Sequence, residues 1–155
     1  MSGARTPRGA TPVAHLADLD PVGGAAVLCL RVWGDGSAAQ TRLRREFDRS
    51  VGAASGTVAL QALDELWALC LAHGRRPLAC HAAGCPLVGV DEGCFAHMIA
   101  AAARGDRDEA LLIACNIVRA DVAPVVVALA EQLGLALHRM ALAERARPGP
   151  GGRLH

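Results

Sequence analysis

No stretch of the chain narrows the fold more than Thr57 to about His73. Leu60, Leu63, Leu66, Trp67, Cys70 and Leu71 recur there at helical spacing and make a wide apolar stripe. Its end is marked too: His73 falls in the last turn, Gly74 just past it, and Pro77 beyond. A free cysteine in such a stripe, here Cys70, behaves as a small hydrophobe.

The same grammar recurs along the chain. Asp20-Pro21 reads as an N-cap followed by proline at the first helical position, opening a helix through Val22, Ala26, Cys29, Leu30 and Trp33. The run AVLCLRVW, 26–33, also reads as a buried strand. Ser37 and Gln40 match a capping box, and Ala39, Leu43, Phe47 and Val51 share one face of the helix behind it. A Gly-Ser-rich break spans Gly52 to Gly56, and 75–90 reads as a loop. Asp91 is expected to cap a helix that runs to Arg104 and stops at Gly105. Asp106 and Glu109 start the next helix, whose Leu111, Leu112, Ile113, Cys115, Ile117 and Val118 predict a central, buried position. Asn116 is expected to be a core polar group with a partner. Asp121 caps a last helix, with Pro124 in its first turn, Val125, Val126, Leu129, Ala130 and Leu133 packed inward, and Gly134 as its end. Residues 135–142 fit either a strand or a short helix.

The expected fold is therefore mostly all-α: a compact bundle of five to six helices, leaving open one short strand pair, 26–33 with 135–142. Residues 1–17, rich in Gly, Pro, Thr and Arg, are expected to be disordered. Residues 18–144 form a single helical domain, and 145–155 a flexible Pro/Gly-rich tail. At 155 residues a single core suffices without disulfides. Apolar residues at 52% against 20% charged exclude a disordered chain. Much of the apolar share is alanine, which favours helix.

Composition also trims the function classes. Aromatics at 3%, with no Tyr, argue against base-stacking platforms, and a net charge of +1 lacks the basic excess of a nucleic-acid binder. The arginines at 42–49 interleave with Glu46 and Asp48, as on a solvated helix face. The first twenty residues show no signal-peptide pattern, and charge breaks the apolar runs short of the roughly 18 residues of a membrane span. The expected compartment is the cytoplasm, where six cysteines are core residues, metal ligands or redox thiols.

The chemistry concentrates in Cys80 to His97, CHAAGCPLVGVDEGCFAH. At about 100° per residue, Phe95, Met98, Ile99 and Ala102 form the core face of the helix there. Cys94 and His97 share another face, about 60° apart. Cys80 and Cys85, on the preceding loop, complete a four-ligand set with Cys94 and His97, His81 being a substitute ligand. Zinc suits mixed sulfur and nitrogen ligands. An iron–sulfur cluster, echoed by Cys85-Pro86 and with Cys115 as a further ligand, is the other option. The gaps match no standard spacing and contain no CxxC, so structural loop thiols and surface imidazoles are the simpler reading. A reactive Cys94 at a helix N-terminus, with His97 or His81 as base, is a further reading, opposed by Asp91 and Glu92. Residues 125–146 also fit a helix-turn-helix with Gly134 at the turn, but its outward Ala136, Leu137 and Ala141 cannot read bases.

No catalytic constellation assembles, so the expected function is a small cytoplasmic helical interaction or regulatory protein without enzymatic activity. It would act through a protein partner or as a homo-oligomer, without membrane or nucleic acid. The alternative is a metal-binding or redox-sensing protein that uses the Cys80–His97 segment.

Overall fold

A computed structural model describes residues 8–147. The disorder expected for 1–17 and the tail expected for 145–155 lie outside the described residues at 1–7 and 148–155, while Arg145 and Ala146 of that tail are helical. Within them, six α-helices pack around one core: α1 (Pro21–Gly34), α2 (Ser37–Val51), α3 (Ala53–His73), α4 (Val90–Ala103), α5 (Arg107–Ile117) and α6 (Ala123–Ala146). The core fills with Leu30, Phe47, Leu60, Leu63, Leu66, Phe95, Met98, Ile99, Leu133 and Leu137, all buried. The mostly-α class is as expected.

Among the described residues the one sheet lies elsewhere than the sequence suggests. β1 (Pro12–His15) pairs antiparallel with β2 (Leu87–Gly89). Residues 26–33 and 135–142, the expected strand pair, are instead helical, in α1 and α6. Expected disorder through residue 17 stops short as well, because two 3-10 turns, Arg8–Ala10 and Leu16–Asp18, flank β1. This segment covers a small second cluster in which Ala14, Leu16 and Leu19 pack on Val27, Val88 and Ala96.

Local capping explains the helix starts unevenly. Asp20 accepts from the Gly23 N–H at 3.2 Å, and Asp106 from that of Glu109 at 3.2 Å, as the sequence predicts. Ser37 and Asp91 are not caps. Gly36 precedes α2 at a φ of 100°, and the Gln40 amide donates to the Trp33 carbonyl instead. Gly89 precedes α4, and Asp121 pairs with Arg119 rather than capping α6, whose N-cap is Val122. The break before α3 shrinks to Gly52 at a φ of 87°, a left-handed value that glycine adopts without strain.

Two helices differ in character from the sequence reading. α5 is an edge helix, not a central one. Only Ala110, Ala114 and Ile117 of it are buried, Leu112 is 72% exposed, and Asn116 faces outward, donating to the Leu112 carbonyl. α6 runs unbroken through Gly134, so the helix-turn-helix reading fails: there is no turn. Gly134 serves packing instead. A Cβ there would stand 2.9 Å from the Ala103 Cβ and 2.9 Å from the Ile99 carbonyl oxygen. By length and composition α6 is apolar enough to cross a bilayer, although Glu131 and Arg139 interrupt its apolar run as expected, and here it packs along α3 and α4.

Candidate functional site

The loop between α3 and α4 is fixed to the first turn of α4 by two buried carboxylates. Glu92, the third residue of α4, accepts from the Gly89 N–H at 3.1 Å and from the His81 N–H at 3.2 Å. Asp91 accepts from the Ala79 N–H at 2.9 Å and pairs with Arg76. Both positions sit in the first turn of α4, where negative charge meets the positive end of the helix dipole.

Glu92 is fully buried, and its counter-charge comes from α1. Arg31 Nε donates to Glu92 Oε2 at 2.6 Å and Nη2 to Oε1 at 3.0 Å, a two-pronged pair. The remaining donors reach the loop: Nη1 to the Cys85 carbonyl at 2.8 Å and Nη2 to the Leu87 carbonyl at 2.7 Å. Glu92 holds the guanidinium above its ordinary range, through their hydrogen bond first, while burial opposes. A buried pair is tolerable only when the other polar groups around it are satisfied, and here both side chains serve as struts for the loop.

Sequence reasoning named Glu92 only as a charge opposing Cys94 and passed over its pairing with Arg31. One signal was present. Arg31 is a lone charge in the apolar run AVLCLRVW, and a charge buried with such neighbours needs a partner. Nothing local names that partner, which lies 61 residues away.

The sequence-predicted ligands do not gather about one centre, although Cys85 and the substitute ligand His81 are neighbours. Among the described residues no group of three or more His, Cys, Asp or Glu could hold a metal ion, so Cys80, Cys85, Cys94 and His97 do not assemble, with or without His81. The helical face was read correctly: Phe95, Met98, Ile99 and Ala102 are buried and His97 is exposed. The carboxylates of Asp91 and Glu92 draw the loop backbone to the N-terminal end of α4, while His97 Nδ1 turns back to the Gly93 carbonyl, 2.8 Å away. Cys94 is half-buried against the core. Cys115, the further iron–sulfur candidate, is on edge helix α5.

The thiols are mostly unactivated. Burial pushes Cys29 up to about 12 and Cys70 up to about 11. Cys80, although exposed, is held up to about 11, by desolvation in the loop first and then by Glu92, with Arg31 pulling the other way. Burial and then Asp91 raise Cys94, against Arg76. The helix-end activation weighed for Cys94 is thus outweighed. One loop contact stands apart: Cys85 Sγ lies 3.7 Å from His81 Nδ1, and His81 Nε2 lies 2.8 Å from the Ala10 carbonyl oxygen. No protein-family model matches this chain, and no curated protein or solved structure shows significant similarity to it.

Proposed function

We propose that this chain is a cytoplasmic, non-enzymatic interaction module that docks a protein partner through the outer face of α5 and the start of α6. The observation that carries the reading is the exposure of large aliphatic side chains there. Leu112 is 72% exposed and Val125 53%, and Leu111 also lies open. Leu111, Pro124 and Val127 line a shallow groove between the two helices, with Arg107 and Asp108 at its rim. Apolar side chains edged by charge are the usual build of a protein contact. Leu71, 70% exposed, is on α3, whose C-terminal end is stitched to that of α5 by the Arg75 N–H on the Ile117 carbonyl and the Arg119 N–H on that of His73.

A second copy of the chain is the simplest occupant, since a two-fold axis sets one apolar face on another. Sedimentation equilibrium of the reduced protein tests this. Dimers are expected in the micromolar range, and Leu112→Glu should raise the dissociation constant at least about tenfold. A wild-type chain that stays monomeric at about 100 µM, a concentration at which micromolar affinity saturates, overturns the self-association reading. The cytoplasmic placement draws support from six free thiols, which a reducing compartment preserves. A metal-binding role has no comparable support, since the ligand set is not gathered.

A further inference from the structure

Of the six cysteines, Cys85 has a base beside it. The decisive detail is the other side of that base. His81 Nε2 faces the Ala10 carbonyl oxygen at 2.8 Å, and a carbonyl only accepts, so Nε2 carries the hydrogen. Nδ1 is left with a bare lone pair, and Cys85 Sγ lies 3.7 Å from it. The tautomer is therefore set by the backbone, and the thiol is the group that donates.

The ring is held on several sides. The His81 backbone N–H is fixed to Glu92, the far edge of the ring to Ala10, and Gly89 leaves the ring room, since a Cβ there would stand 3.2 Å from Nε2. Arg31 donates to the Cys85 carbonyl at 2.8 Å, which fixes the backbone of that residue, while Glu92 balances the guanidinium charge. A nucleophile, a base in reach of its proton, and a third group that orients the base make up the general pattern of an activated side chain. Cys85 is partly open to solvent, whereas Cys29 and Cys70 are sealed in the core.

We infer that Cys85 is the reactive thiol of this chain, with His81 as its base and a hydroperoxide as its reactant. The sulfur attacks the outer peroxide oxygen and the O–O bond breaks. The thiol proton passes to His81 Nδ1 and on to the departing oxygen. The balance is RSH + R′OOH giving RSOH + R′OH: sulfur loses two electrons and the peroxide gains them. Because the same imidazole holds the Ala10 carbonyl, oxidation at Cys85 acts on the tether between the loop and the N-terminal segment.

The test uses the reduced full-length protein, less than one equivalent of hydrogen peroxide, and dimedone to trap the sulfenic acid, read by peptide mass mapping. Label is expected on Cys85 ahead of the more exposed Cys80. His81→Gln should lower the Cys85 label about tenfold or more, as loss of a general base does, and leave Cys80 unchanged. Label that follows exposure, with Cys80 first, or that ignores His81→Gln, overturns the inference. If His81→Gln disturbs the fold, Cys85→Ser gives a second reading: peroxide consumption by that variant should fall to the level of ordinary free cysteine, and an undiminished rate overturns the inference equally.

Discussion

Arg31 and Glu92 show how one residue pair can set the course of a whole loop. Their charges are buried, and between them they satisfy two loop carbonyls and two loop N–H groups. Arg31→Met should strand the Glu92 carboxylate without a counter-charge and cost about 3–5 kcal/mol, measured by urea unfolding. Arg31→Met with Glu92→Leu should cost less than that single change, because no buried charge is left alone. The sequence announces such a pair only by halves. An arginine inside an apolar octet is visible, but its partner is set by the tertiary path of the chain. That the ligand set does not gather was hidden for the same reason: periodicity gave the outward aim of His97, while the carboxylates that hold the loop backbone have no periodic signature.

Among the helices, legibility followed the range of the interactions. Asp20 and Asp106 act on N–H groups three residues on and are legible by spacing, but the same local signal misleads at Asp91 and Asp121, whose carboxylates bond elsewhere. Gly134 was misread because glycine has two uses, stopping a helix and letting two helices approach, and only the neighbour tells them apart. That neighbour is α4. Gly134→Ala should therefore destabilise by about 1–3 kcal/mol through overpacking. The roughly 1 kcal/mol that alanine gains in helix propensity is the smaller term, because the Ala103 Cβ and the Ile99 carbonyl cannot swing aside. Thermal unfolding followed by circular dichroism measures the sign, and a rise in Tm would contradict this account of α4 against α6. α5 was misplaced by composition, since an apolar helix can be central or lie at an edge, and the residues alone do not distinguish these.

At the scale of the molecule, the sequence carried the class: alanine, stops and caps point to a helical bundle. The small sheet escaped because its strands are short and far apart in sequence, and β1 sits in a segment whose Gly and Pro content resembles a tail. One molecular property follows from what the chain lacks. It contains neither lysine nor tyrosine, and arginine stays protonated, so above about pH 9 its side-chain titration is that of thiols alone. Cys29, Cys70 and Cys80 hold their protons more tightly folded than unfolded, at about 12, 11 and 11. Their stabilising share is complete below the unfolded thiol value and is lost as pH rises through those values. Stability to urea should fall between about pH 9 and 12, and Cys29→Ala should flatten the decline. A wild-type profile level across that window would contradict the burial of Cys29 and Cys70.

The pairing of β1 with β2 has a practical reading for anyone who shortens or tags this protein at its front end. Residues 8–16 look like dispensable leader, yet Leu16 holds the Pro86 carbonyl and Thr11 receives the Val90 N–H. Cutting them away would strip a wall from the molecule and leave the α3–α4 crossing fastened on one flank only.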